Sequence, residues 1–331
     1  EGSSYYGLYY SDEPDNGYRN YMELFLPSKK WNKEYIFARN QGTGYSDNIH
    51  QEKCMAANGM GGWSGLCPTQ ELVDAYEMAN GSTPIIGYNA DGTPIINGAS
   101  GYSETGFAAT AGKHYPAGVY NMYVGREPRF YASINFNGQQ WRGRQLEFWQ
   151  GGKDGINVSK VDYCCTGYLL RKTADEGVDV INGKGGMKEA SILFRVGSLY
   201  LDYAEALNEA EGPVDDVYKY VDAIRKRAGL PGLAKGLDKD KMRERIQHER
   251  QIELAFEAGH RYFDCHRWKI AEKTDNGYMH GMNITATNKV DYSKRSTVGD
   301  SRVFEKKHYL FPIPQSEMDK RIGLVQSPYW E

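Results

Sequence analysis

Residues 191–268 read SILFRVGSLYLDYAEALNEAEGPVDDVYKYVDAIRKRAGLPGLAKGLDKDKMRERIQHERQIELAFEAGHRYFDCHRW, the one long stretch of the chain with a sustained helical period. Leu199, Tyr203, Ala206, Leu207 and Ala210 recur at spacings of three and four, the stripe by which an amphipathic helix buries one face. Gly212 and Pro213 stop that helix. A second runs over about 214–227, with Val217, Tyr220, Val221 and Ile224 inward and Gly229 and Pro231 beyond its end. Helix, tight turn and helix make a unit of about 34 residues, the period of a tetratricopeptide repeat. One such unit cannot bury its face alone, and a third helix answers that need. Asp238 or Asp240 caps it, it reaches about residue 257, and Met242, Ile246, Ile252, Leu254, Ala255 and Phe256 supply its packing.

The third helix is crowded with charge. Glu249, Glu253 and Glu257 stand four residues apart and share a face, and Glu257 and His260 have the Glu-x-x-His spacing of di-iron bundles. That chemistry needs a second copy on a partner helix, which the sequence lacks. The reading adopted is a structural lattice in which Arg225, Arg227, Arg243, Arg250, Arg261 and Arg267 pair with these carboxylates. His248 lacks the second His of a zinc protease, and Cys265 with His266 is too small a set for zinc.

Several of these stretches carry a resemblance. ERQIELAFEAGHRYFDCHRW (249–268) resembles the signature of the SusD/RagB family, nutrient-capturing surface lipoproteins of Bacteroidetes, and FRVGSLYLDYAEALNEA (194–210) resembles the helix before it. YIFARNQG (35–42), CPTQELVDAYEMANG (67–81), REPRFYASINFNG (126–138), TGYLLRK (166–172) and YLFPIPQSEMDKRIGLVQSPYW (309–330) are similar to other family blocks and stand in the same order. One departure is Cys265-His266, where the family usually has a Leu and a basic residue.

The resemblance implies a mainly α fold, with a tetratricopeptide-like helical core and a long irregular, loop-rich excursion containing small β-hairpins. It implies non-catalytic capture of an oligosaccharide or polysaccharide at the cell surface, and delivery to a TonB-dependent, SusC-like outer-membrane transporter. It also implies a lipid anchor through an N-terminal Cys and an N-terminal half with further tetratricopeptide helices, neither of which is found in this sequence. Residues 1–190 are then an irregular ligand-facing region, and 191–331 the helical C-terminal region of the same domain. A peptide-binding member of the family and a polysaccharide hydrolase are the alternatives.

The chain's bounds agree. It has 331 residues and a net charge of −3 with no basic block, which argues against a nucleic-acid partner. Its apolar runs reach only about five residues, too short for a spanning helix. Of five cysteines, Cys54 and Cys67 bracket a glycine-rich loop and are candidates for a bridge, whereas adjacent Cys164 and Cys165 cannot join without strain. All five are otherwise expected as small buried hydrophobes.

Residues 1–190 are dense in glycine, aromatics and turns. A helix is expected over about 69–78 with Thr69 as cap, and the echo GSTPIIGYNA–DGTPIINGAS reads as a hairpin turning at Asn89, Asp91 and Gly92. Arg129 to Phe136 alternates as a strand should, and Asn137-Gly138 signals a hairpin returning through Trp141, Arg142, Arg144, Leu146, Phe148 and Trp149. The glycines at 59–65 and 151–155 lack the flanking elements of a nucleotide loop.

The main functional signal is aromatic. Tyr outnumbers Phe by 26 to 11, with many Tyr in loops, among them Tyr18. Tyr joins an apolar ring to a polar tip at small entropic cost, which suits sugars that present C–H faces and hydroxyls together. The segment GYSETGFAATAGKHYPAGVYNMYVGR (101–126) combines such rings with Lys113, His114 and Asn121. The expected ligand-binding residues are Trp63, Tyr102, Tyr115, Tyr120, Tyr123, Arg126 and Trp149. No catalytic residue, metal ligand or cofactor is indicated. A structural Ca²⁺ in a loop stays open, with no spacing that points to it.

Overall fold

The computed structural model describes residues 5–26, 31–40, 45–184, 190–257 and 259–330. Its main helices are α1 (Gly17–Leu24), α2 (Tyr45–Met55), α3 (Gln70–Ala75), α4 (Pro128–Ser133), α5 (Val196–Glu211), α6 (Asp215–Arg227), α7 (Lys239–Glu253) and α8 (His260–Arg267). Among the described residues the strands come as antiparallel pairs: β1 (Tyr35–Asn40) with β8 (Ala190–Arg195), β2 (Ile85–Tyr88) with β3 (Pro94–Ile96), and β4 (Ile134–Phe136) with β7 (Tyr168–Leu170). The short β5 (Gln140–Trp141) pairs with β6 (Arg144–Gln145), and β9 (Gly277–Met282) with β10 (Arg295–Arg302). The architecture is therefore mainly α, helical toward the C-terminal half and irregular before it.

The periodic stretch forms the three expected helices. Gly212 ends α5 at φ 82°, and the Asp238 side chain caps α7 by accepting from the Lys241 N–H at 2.8 Å. Ala204, Val217, Tyr218, Val221, Met242 and Ile246 form one apolar cluster between them. The face that α5 buries differs from expectation. Val196, Leu201, Ala204 and Asn208 point inward, while Leu199 and Tyr203 are 44% and 43% exposed and Ala206 and Ala210 are exposed too. The helix has two apolar stripes, one buried against α6 and α7 and the other partly exposed, with Tyr203 edge-on to Tyr220 of α6 at 4.9 Å. Helix α7 also ends at Glu253, before the expected 257, because the backbone turns left-handed at Phe256 (φ 62°).

In the irregular half, β2 and β3 form the expected hairpin, Ile85 opposite Ile96, with the Asn89 N–H donating to the Thr93 carbonyl across the turn. Residues 129–136 do not form the expected strand. Pro128 begins a short helix, for which its fixed φ is preorganised, and only Ile134–Phe136 is extended. Those three residues pair with Tyr168–Leu170, not with the segment after Asn137-Gly138. Gly138 does turn, at φ 86°, and its N–H donates to the Leu146 carbonyl at 2.8 Å. The main core sits here, built from Val73, Tyr76, Tyr123, Phe130, Phe136, Trp141, Phe148 and Tyr168.

A buried charge network joins the two halves. Arg129 on α4 donates to Glu127 (2.7 Å), Glu249 (2.5 Å) and Glu253 (3.0 Å). Arg195 reaches Glu34 (2.6 Å), Glu253 (2.9 Å) and Glu257 (2.7 Å), and Lys172 reaches Glu257 at 2.6 Å. Arg227 pairs with Glu34 and Glu253, and Arg225 with Glu249 and Glu77. The lattice expected around the α7 carboxylates is present with partly different partners. Arg129, Arg195 and Lys172 replace Arg243, Arg250 and Arg267, which pair instead with Glu209, with Asp264 and Asp202, and with Glu205 and Asp264. Arg129 thereby fixes α4 against α7.

Candidate functional site

Two clefts present aromatic rings to solvent. The first, about 350 Å³, lies between the start of α1, the 112–115 loop and α4. A side chain at Gly17 would meet the Ala228 carbonyl within 2.2 Å, so the start of α1 can press against the end of α6 only with glycine there. This places the Tyr18 ring against His114, centroids 4.8 Å apart and nearly parallel at 28°, and His114 in turn lies 5.2 Å from Tyr131 of α4. Tyr115 stacks on Tyr131 at 6.2 Å and 25°, over Gly112, where any Cβ would enter the Tyr115 ring.

The stack is held from behind. Arg171 donates to the Tyr18 hydroxyl at 2.5 Å and to the Tyr131 carbonyl at 3.0 Å, and Tyr131 Oη donates to the Tyr123 carbonyl at 2.6 Å. Burial, then the charges of Lys113 and Arg171, push His114 down to about 4, so its imidazole is neutral at pH 7. Tyr131 itself is 2% exposed and backs the row, so the rings offered to the cleft are the half-buried Tyr18, His114 and Tyr115. They are uncharged and bordered by Asn16, Lys113 and Asp15, a combination of apolar platform and polar rim that accepts a polyhydroxylated ring.

The second cleft, about 660 Å³, is lined by Trp63, Lys160, Asp162, Tyr163 and three thiols, Cys54, Cys67 and Cys165. Trp63 is 38% exposed, stacks on His50 at 5.3 Å, and has the Lys53 ammonium 5.5 Å from its ring centre. None of the residues lining the first cleft also lines this one.

The seven residues expected to bind ligand are thus divided by the fold. Tyr115 and Trp63 each face a cleft. Arg126 reaches the first cleft but is buried, and its guanidinium donates to the carbonyls of Met122, Val73 and Tyr76. Tyr123, 1% exposed, packs on Phe136 at 4.4 Å. Tyr102 is buried with its hydroxyl on Glu104 at 2.6 Å and its ring 5.3 Å from the Arg126 guanidinium. Tyr120 is half-buried and donates to the Glu104 carbonyl. Trp149 is half-buried against the core with its indole N–H unpartnered among the described residues.

Tyr131 was not expected at a site, because the alternating pattern placed it on a strand; the signal that marks it is Pro128 at the head of a helix. Tyr18 shows itself only as one of many N-terminal Tyr. Among the described residues no group of three His, Cys, Asp or Glu side chains is placed to hold a metal ion, and no helix is long and apolar enough to cross a membrane. All five cysteines are free thiols, and Cys165 is exposed where a buried side chain was expected.

The whole architecture has known counterparts. A SusD-like protein of Bacteroides fragilis superposes with a TM-score of 0.72 at 28% identity, over 98% of this chain and 59% of that one. A SusD-like carbohydrate binding protein, also from B. fragilis, gives 0.67 at 25% identity over 95% of this chain and 57% of that one. A SusD-like protein of Formosa agariphila is 29% identical over 154 residues, 43% of this chain and 26% of the relative. The chain therefore spans less than two thirds of the length of these relatives. The SusD family model matches residues 27–330, nearly the full length, and the chain belongs to the SusD family.

Proposed function

We propose that the protein captures an oligosaccharide or polysaccharide without cleaving it, at the bacterial cell surface, and passes it to a TonB-dependent, SusC-like outer-membrane transporter. The observation that carries this reading is the row of Tyr18, His114 and Tyr115, uncharged rings stacked on the buried Tyr131 at the edge of an open cleft. Trp63 supplies a second contact on the same polymer. A similar solved protein is described as carbohydrate binding, which supports the ligand class. Among the described residues each cleft is lined by one carboxylate, Asp15 or Asp162, whereas a two-carboxylate glycosidase needs a pair flanking the scissile bond. Such a shallow site binds one short glycan weakly, and several contacts along a polymer raise the avidity.

The surface location rests on the family, with a lipid on an N-terminal Cys outside this sequence as the anchor. The exposed face of α5 around Leu199 is the face on which further tetratricopeptide helices of the same protein pack. An array of plant, microbial and host glycans beside a peptide panel, with reducing-sugar release measured on every polysaccharide that binds, tests the reading. Saturable binding to one glycan class without release is expected. Peptide-only binding or sugar release overturns it.

A further inference from the structure

Four of the five cysteines converge on the Trp63 cleft, although Cys54 and Cys67 lie about a hundred residues before Cys164 and Cys165. Cys54, Cys67 and Cys165 line it, and Cys164 lies just behind, its Sγ 3.9 Å from Cys67 Sγ. The two neighbours of Cys67 differ. Cys164 is buried and its thiol is engaged with the Tyr168 carbonyl at 2.9 Å, whereas Cys165 is exposed on the cleft wall. Cys67 and Cys165 line the same cleft, their side chains within reach of a thiol–thiol hydrogen bond. We propose that Cys67 and Cys165 are a disulfide-forming pair, which staples the cleft wall carrying Lys160, Val161, Asp162 and Tyr163 to the segment leading into α3.

The chemistry balances with a disulfide as the oxidant. The Cys67 thiol gives up its proton and its thiolate attacks a small-molecule or enzyme disulfide RSSR, forming Cys67–SR and releasing RS⁻. The Cys165 thiolate then attacks Cys67 Sγ, expelling the second RS⁻. Two thiols are oxidised, one RSSR is reduced to two RSH, and the two protons leave with the thiol products. The Cys67 thiol is held above its ordinary range chiefly by its contact with Cys164, and the Cys165 thiol by its contact with Cys67 and by burial, which makes the reaction slow at neutral pH and faster as pH rises. Only the presence of an oxidant in the cell depends on the proposed surface location. The test uses a defined redox couple and so does not depend on it.

The purified chain is equilibrated with oxidised glutathione, alkylated, and mapped by non-reducing peptide mass spectrometry, with fragmentation between residues 164 and 165. A Cys67–Cys165 linkage is expected, with Cys54 and Cys265 alkylated, and the cross-link should persist in Cys164→Ala. Reductant should lower Tm by at least about 5 °C in the oxidised protein and leave Cys67→Ala unmoved, since the closed loop is long. Alkylation of all five cysteines, or a link from Cys67 to Cys54 or Cys164, overturns the assignment.

Discussion

Glu253 shows how far a single residue governs this fold. Its carboxylate is fully buried and receives Arg129, Arg195 and Arg227 together. Burial pushes the carboxyl up, but Arg227, Arg195, Arg129 and Lys172 outweigh it and hold it well below the ordinary range. A folded-state value below the unfolded one, about 4.3, means that the unfolded chain binds more protons as acid is added. Glu253 thus contributes its full stability above about pH 4.3 and loses it as pH falls below that. Replacing it with Ala leaves three guanidinium groups short of a partner. The expected cost is about 3–5 kcal/mol, read from urea unfolding, with an acid limb shallower than that of the parent. The acidic face of this stretch was readable from the spacing of Glu249, Glu253 and Glu257 alone, although Glu257 lies beyond the end of α7. Arg129, Lys172 and Arg195 as partners were not, since they lie 58 to 124 residues from the carboxylates they meet.

At the scale of elements, helix α5 separates what periodicity reveals from what it leaves open. A spacing of three and four establishes that a helix forms, but α5 has apolar residues on two faces, and sequence alone does not say which one a neighbour covers. Leu201 is fully buried and Leu199 is 44% exposed. Leu201→Ala should therefore cost about 2–5 kcal/mol in thermal or urea unfolding, and Leu199→Ala no more than about 0.5 kcal/mol. Equal losses would mean that both faces are covered in solution. The 128–136 segment teaches the complementary lesson. Its alternation was real, but Pro128 starts a helix and Arg129 is drawn into the charge network, so only the β-branched end at Ile134 enters a strand.

For the whole molecule, the helical core and the irregular half have separate tasks. The α7 carboxylates Glu249 and Glu253 hold α4 through Arg129, and α4 sets the buried Tyr131 behind a cleft whose rings come from α1 and a glycine turn. The fold class was legible in sequence, and so was the density of tyrosine from which the candidate clefts draw their rings. The division of the tyrosines was not, because Tyr115 and Tyr123 have the same local composition and differ only in what packs over them. That difference offers the most direct test of the account. Calorimetric titration of the best-bound glycan should show Tyr115→Ala weakening affinity by at least about tenfold with Tm unchanged. Tyr123→Ala should lower Tm by several degrees, as expected for an aromatic side chain removed from a core. Full affinity in Tyr115→Ala at an unchanged Tm would contradict the claim that this ring row is the sugar platform.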